Sequence, residues 1–386
     1  MKDTERRDHR RWYRMIKSLA AGIISRYMHF SCEPIKSVQE PYILLANHNT
    51  DLDPVMLGKA FPGQMYFVAS EHVFRKGFWS NVLLKLFAPI PRVKGSTDAA
   101  AALEIIRRSR RGDNICLFPE GNRSFTGVTG PIFPATGKLV RTAGATLYTY
   151  RFEGGYLACP RWGRSGRRGK IRGQLVGCYS PDELKKMKPE EINALIARDL
   201  YEDAFARQEE AQLSYRDSHQ AEYLEAALYI CPKCGKISTM KSENDRFFCT
   251  HCGLTLTYTE RGSFAGKEVP FQNVRDWDAW QSEQMKLLAE GEGDEELFFD
   301  ETVAFSKFGE NHETVPLGSG RISMSRGELT VGEHCFPLET ISGMGLFGRA
   351  NIAFSVGAEH YEIKFAPGVC GRKYFALYEE IRGRQA

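Results

Sequence analysis

Long apolar runs are missing from this chain of 386 residues: its uncharged stretches fall well short of the roughly 18 residues needed to span a bilayer. No secretory leader is expected, because residues 1–11 are dense in charge and no apolar core follows them. The nucleophile elbow Gly-x-Ser-x-Gly is absent too, which argues against a serine acyl-enzyme. Nor do the ten cysteines form a disulfide framework. Four fall into two Cys-x-x-Cys pairs and six are scattered, a pattern that suits thiols kept reduced in the cytosol.

A strong overall charge is also lacking, since the formal balance is only +4. That figure hides an uneven division. Residues 1–211 hold 34 Lys and Arg against 22 Asp and Glu, whereas residues 212–386 hold 18 against 26. The basic part suits an anionic membrane surface, phosphorylated substrates or an acidic carrier protein. Nucleic acid attracts the same sign, so charge alone does not choose among them.

Two polar motifs each follow an apolar, strand-like run. Tyr42-Ile43-Leu44-Leu45-Ala46 reads as a buried strand, and Asn47-His48-Asn49-Thr50-Asp51-Leu52-Asp53 as the loop at its carboxyl end. If Asp53 opens a helix with Pro54 in its first turn, the chain folds back and the carboxylate reaches the His48 imidazole. Such an Asp fixes the tautomer, raises the basicity of the other ring nitrogen and stabilises the imidazolium. A capped loop is the plainer reading of this spacing taken alone. The second motif, Phe118-Pro119-Glu120-Gly121-Asn122-Arg123-Ser124, follows Asn114-Ile115-Cys116-Leu117. Open α/β sheets place their sites at such strand ends.

Together these motifs closely resemble the first and third blocks of the glycerolipid acyltransferases, specifically the 1-acylglycerol-3-phosphate acyltransferase family, over roughly residues 10–211. Ile90-Pro91-Arg92 stands where the family's second block carries an arginine. The fourth block departs: the family has a proline in an apolar strand, and this chain reads Ala145-Thr146-Leu147-Tyr148-Thr149-Tyr150-Arg151.

The resemblance implies acyl transfer from a thioester, acyl-CoA or an acyl carrier protein thioester, to the sn-2 hydroxyl of 1-acylglycerol 3-phosphate. His48 is then the general base and Asp53 its orienting partner. Arg123 and Arg92 are suited to the acceptor phosphate. Glu120 orients Arg123 or accepts from a glycerol hydroxyl, Gly121 allows close backbone approach, and Ser124 supplies a further hydrogen bond. Asn47 holds either its loop or the tetrahedral oxyanion. Glycerol 3-phosphate, another lysophospholipid or an acylated sugar are alternative acceptors. A nucleic-acid-binding or adaptor protein with an inactive acyltransferase domain is a further alternative, opposed by the intact His48 and Asp53 and by the acidic second half.

The expected fold class is α/β, a mixed sheet flanked by helices, with a zinc ribbon and a small β-barrel-like C-terminal domain. Strands are expected at 41–46, 65–69, 114–118, 145–152 and 171–176, and helices at 53–60, 78–87, 97–111, 135–143 and 189–210. The first 40 residues are read as membrane-associating, since residues 10–31 alternate basic and apolar side chains. The apolar segment 74–87 suits either core or a membrane-facing or acyl-chain-lining helix, and the basic run 161–172 either a solvated loop or a site for lipid headgroups or the phosphates of an acyl donor. The protein is thus expected peripherally on the cytoplasmic face of the cell membrane, with its phospholipid surface as partner.

The acyltransferase domain is placed at 41–211 and a connector at 212–228. Cys231, Cys234, Cys249 and Cys252 then form two Cys-x-x-Cys-Gly knuckles, a closed four-thiolate site for a structural Zn²⁺ within a ribbon at 229–258. After a helix at 273–290, period-two runs within 295–386 and a closing amphipathic helix suggest a pleckstrin-homology-like domain.

Overall fold

The computed structural model describes residues 26–70, 88–92, 99–308 and 314–385, with Tyr13, Met15, Lys17 and Gly22. Most of the helix expected over 10–31, and all of the segment 74–87 with its helix at 78–87, lie outside the described residues. The described residues fall into two compact units: those up to Arg92 with 99–160 and 166–215 form the first, and those within 161–165 and 216–385 the second.

A seven-stranded sheet organises the first unit. In chain order its strands are β1 (Phe30–Cys32), β2 (Tyr42–Ala46), β3 (Tyr66–Ser70), β4 (Ile90–Arg92), β5 (Ile115–Leu117), β6 (Thr146–Glu153) and β7 (Ile171–Tyr179). They are arranged β1-β7-β6-β2-β5-β3-β4. The run β6-β2-β5-β3-β4 is parallel throughout, and β7 turns back antiparallel on β6. Both faces of β2 are therefore covered, and all five of its residues are buried.

The flanking helices include α1 (Asp53–Ala60), α2 (Ala99–Arg110) and α3 (Thr136–Ala143). They continue with the short α4 (Gly155–Ala158), α5 (Pro181–Lys186), α6 (Pro189–Leu200) and α7 (Ala204–Ala211). One core joins Ile43 and Leu45 of β2 and Leu147 of β6 to Ile105 of α2, Val140 of α3, and Ile192 and Ile196 of α6.

The single helix expected over 189–210 is two helices. Residues 201–203 leave the helical path to pair with a strap over 127–130. Thr129 N donates to Glu202 O at 2.9 Å and Ala204 N to Gly127 O at 2.9 Å, while Thr129 Oγ1 donates to Leu200 O at 3.0 Å. Asp203 then restarts the helix, its side chain accepting from Phe205 N and Ala206 N. Tertiary hydrogen bonds have overridden helical periodicity here.

The basic run 161–172 is largely absorbed into structure. Arg167 is buried against the Leu157 carbonyl in the first unit. In the second unit, buried Arg161 donates from Nε to Gly348 O at 2.9 Å, and Arg164 pairs with Glu222 at 2.7 Å. Arg168, Lys170 and Arg172 remain exposed.

In the second unit a four-stranded sheet runs β11-β10-β9-β8, from β8 (Met240–Glu243), β9 (Arg246–Cys249), β10 (Thr255–Tyr258) and β11 (Phe264–Ala265). The following helix α8 (Val274–Glu290) is capped by Asn273, whose side chain accepts from Asp276 N. Trp277 of α8 is fully buried between Phe247 and Phe264, and its Nε1 donates to Ile230 O at 3.0 Å.

Seven antiparallel strands follow: β12 (Phe298–Phe308), β13 (Thr314–Met324), β14 (Glu328–Val331), β15 (His334–Pro337), β16 (Ile341–Phe347), β17 (Asn351–Val356) and β18 (Glu359–Phe365). Their order is β15-β14-β13-β12-β18-β17-β16, and register shifts in the β12–β13 pair let the sheet curl. The closing helix α9 (Arg372–Gln385) meets that sheet through Tyr374, which donates to Asp300, and Tyr378, which donates to Ile341 O.

Arg372 joins α9 to α8 through a two-pronged ion pair with Asp278, whose Nη2–Oδ2 arm measures 2.8 Å. Asp278 also accepts from Gln281, and Gln281 in turn accepts from Tyr229 N, so the pair is part of a buried network. Asp278→Ala leaves Arg372 without its counter-charge and is expected to destabilise the second unit by about 3–5 kcal/mol. Replacing both residues with leucine should recover much of that loss. Urea unfolding of the two variants is the measurement; a near-neutral Asp278→Ala shows that the pair carries no such weight.

Candidate active site and metal centre

The loop from β2 to α1 folds back as its spacing suggests. Asp53 is the first residue of α1, Pro54 follows, and the carboxylate is fully buried. It is held by four donors: His48 Nδ1 at 2.9 Å, Asn49 N at 2.8 Å, Thr50 N at 3.0 Å and Thr50 Oγ1 at 2.7 Å. An ionised carboxylate only accepts, so the proton of the neutral imidazole sits on Nδ1 and Nε2 carries the lone pair. The His48 side chain is 21% accessible, and Nε2 has no hydrogen-bond partner among the described residues. Phe118 stacks on the imidazole at 4.2 Å between centroids, fixing its plane from the second motif.

Adjacent strands β2 and β5 end at the same edge, which brings the two motifs together. Glu120 receives His48 N on one oxygen and Gly130 N on the other, each at 2.7 Å. It therefore braces the His48 backbone and the 127–130 strap, where the sequence suggested a partner for Arg123 or a substrate hydroxyl. Burial pushes its carboxyl up to about 8; the two amides oppose that rise and the Asp53 charge adds to it. Gly121 makes the turn at φ +70°, and Ser124 N donates to His48 O at 3.2 Å. Ser124 Oγ donates to Val128 O at 2.8 Å and receives Gly127 N at 2.9 Å, so this hydroxyl shapes its own loop.

Asn47 is buried and uses both ends of its amide on Phe152: Nδ2 donates to the carbonyl at 2.9 Å, and Oδ1 accepts from the N–H at 2.7 Å. This stitches β2 to β6 beyond their last ladder pair. Arg123 has an ion pair with Asp51, Nε to Oδ1 at 3.4 Å. Arg92 ends β4, opposite Ser70 of β3 and at the same sheet edge as both motifs.

Sequence reasoning gave no role to Thr50, Asp51, Phe118, Gly130 or Gly155. Gly155 presses on the loop between His48 and Asp53, where an added Cβ would lie 2.9 Å from the Asn49 Cβ. Cys159 lies among the same charges: burial pushes its thiol up, Arg123 pulls it down, and Asp51 and Asp53 push it up. Only Phe118 left a local signal, as the aromatic residue opening the Phe-Pro-Glu-Gly motif.

In the second unit, Cys231, Cys234, Cys249 and Cys252 bring their sulfurs within 4.8 Å of one another. A tetrahedral ion with metal–sulfur bonds of about 2.3 Å needs edges of about 3.8 Å. The Cys231–Cys252 and Cys234–Cys249 edges measure 3.6 and 3.9 Å. Each knuckle turns on a left-handed glycine, Gly235 at φ +71° and Gly253 at φ +75°. Thr239 Oγ1 stands 3.3 Å from Cys249 Sγ. Four thiols in this arrangement could hold a metal ion and leave it no open position.

Residues 29–153 match the family model described as Acyltransferase, a span that contains His48, Asp53, Glu120 and Arg123. The chain therefore carries an acyltransferase domain. No curated protein matches the chain. Among solved structures it is similar to the 1-acyl-sn-glycerophosphate (LPA) acyltransferase PlsC from Thermotoga maritima. That likeness has 16% identity and a TM-score of 0.41, and it covers 52% of this chain and 82% of the other.

Asp53→Asn turns an amide N–H₂ toward existing donors and removes the charge that favours the imidazolium. Acyl transfer should fall by about 10²–10⁴-fold. Near-normal turnover with an unchanged circular dichroism spectrum would falsify the dyad. For the cysteine cluster, elemental analysis should find about one metal ion per chain. Serine at both Cys231 and Cys234 should release that ion and lower the melting temperature. Protein purified without chelator and free of metal rules the site out.

Proposed function

We propose that this protein transfers a fatty acyl group from a thioester to the sn-2 hydroxyl of 1-acylglycerol 3-phosphate, yielding phosphatidic acid. The observation that carries the reading is His48, tied through Nδ1 to buried Asp53, with Nε2 unengaged among the described residues, in the same loop cluster as Arg123. His48 Nε2 takes the acceptor hydroxyl proton as that oxygen attacks the thioester carbonyl. Asp53 stabilises the imidazolium, which returns the proton to the thiolate as the C–S bond breaks. The acceptor oxygen attacks directly, so no enzyme nucleophile enters the reaction. Cys116 agrees with this, since it is fully buried and its thiol is pushed well up by burial.

Arg123 meets the acceptor phosphate, and Arg92, at the carboxyl end of β4, supplies a second cation. Glu120, Gly121, Ser124 and Asn47 support this reading by holding the loops that carry His48 and Arg123. The donor is acyl-CoA or an acyl carrier protein thioester. Zinc is the metal that four thiolates in two such knuckles take, and its part is structural. The strand order of the C-terminal sheet and its closing helix favour a pleckstrin-homology-like domain. A lipid acceptor and the basic surplus of residues 1–211 favour peripheral attachment to the cytoplasmic face of the membrane. No described helix is long and apolar enough to cross a membrane.

The decisive experiment supplies purified protein with a panel of lyso-acceptors and glycerol 3-phosphate, each with coenzyme A and carrier-protein thioesters. Products are identified by mass spectrometry. Phosphatidic acid should dominate, His48→Ala should abolish it, and Arg123→Ala should chiefly raise KM for the phosphate-bearing acceptor. Preference for an acceptor with a large esterified headgroup, with Arg123→Ala indifferent to phosphate, assigns a different substrate.

A further inference from the structure

The catalytic loop carries two aspartates that face opposite ways. Asp53 is sealed inside, whereas the Asp51 side chain is 83% accessible. Its Oδ1 lies 3.4 Å from Nε of Arg123, a side chain only 14% accessible. The arginine to which the phosphate is assigned thus already has a carboxylate at its solvent side. An exposed ion pair contributes little to stability, so the fold gives no strong reason for a charge at position 51. Its electrostatic effect on an arriving anion is another matter. A phosphate reaching Arg123 meets a like charge first and must share or displace an existing counter-ion.

We propose that Asp51 is a specificity-determining residue that competes with the acceptor's phosphate for Arg123. The competition weighs more heavily on a phosphate monoester dianion than on a singly charged phosphodiester. Asp51 therefore narrows the advantage that Arg123 gives to the dianion. This rests on the acyl-transfer reading and on the role it gives Arg123.

Asp51→Asn keeps the size and a hydrogen-bonding oxygen but removes the charge. At about 0.05 M salt, KM for 1-acylglycerol 3-phosphate should fall by about three- to ten-fold, with kcat held within about two-fold. At about 0.5 M salt the gain should shrink, because the pair lies where ions screen it. The same substitution on an Arg123→Ala background should leave KM where Arg123→Ala puts it. Inorganic phosphate, followed by broadening of its ³¹P resonance, supplies a reading independent of turnover. It should bind Asp51→Asn more tightly than the wild type and should lose that gain on the Arg123→Ala background.

An unchanged or higher KM in Asp51→Asn, or an equal gain without Arg123, overturns the proposal. So does a fall in kcat together with melting temperature, which marks a structural residue. A wild type that ignores 1-acylglycerol 3-phosphate and acylates another acceptor defeats the substrate assignment alone. The phosphate titration then still decides whether Asp51 competes for Arg123.

Discussion

Burial of the Asp53 carboxylate is the constraint on which the first unit's site depends. A charge removed from water survives only when its acceptor positions are filled. Here the imidazole, two backbone amides and a hydroxyl fill them, all from the three residues His48, Asn49 and Thr50. To present those donors the chain must reverse immediately after β2 and enter α1 at Asp53, where the helix N-terminus adds its own favourable field. The geometry that satisfies the buried charge also orients the histidine. Folding of this loop therefore also leaves the imidazole held through Nδ1 by a buried carboxylate.

Longer-range supports keep that loop in place. Glu120 reaches it from the end of β5, Phe118 stacks on its imidazole, and Asn47 ties its root to Phe152 of β6. The strap over 127–130 is held by Glu120 on one side and by residues 200–204 on the other. The interruption between α6 and α7 follows from this, because Glu202 O is turned toward Thr129 N. An unbroken helix would place that carbonyl within its own ladder. Helical continuity has given way to a hydrogen bond that steadies the site's outer loop.

Different chemistry organises the second unit. Its small four-stranded sheet offers limited apolar area, and the cysteine cluster, Trp277 and the Arg372–Asp278 pair stand where a larger core would otherwise be needed. Its acidic surplus contrasts with the basic surplus of residues 1–211. Part of that basic surplus, in the Arg-rich run 161–172, is not free positive surface. Arg161, Arg164 and Arg167 instead satisfy carbonyls or a carboxylate within their own units.

Features of short sequence range were legible from the residues alone. Five positions separate His48 from Asp53, and a strand end followed by a helix start leaves few paths between them. Each Cys-x-x-Cys-Gly knuckle likewise confines its two sulfurs to one turn, so the four sulfurs that gather could be named from spacing. Apolar runs located β2, β5 and β6 to within a residue or two, since a strand covered on both faces must be continuously apolar. The roles of Glu120 and Ser124, the partner through which Asn47 holds its loop, and the Asp51–Arg123 pair were not legible. Neither was the break at residues 201–203. Each depends on groups about 70 to 105 positions apart, or on a loop folded upon itself, meeting at one sheet edge. Apolar pattern states that strands pair without stating which neighbour, which register or which carbonyl is left over. Residue type and spacing therefore named the reactive groups of the candidate sites. Strand order and register decided which polar groups gather at the candidate site and which hold the loops, because only the assembled sheet brings their hydrogen-bond partners within reach.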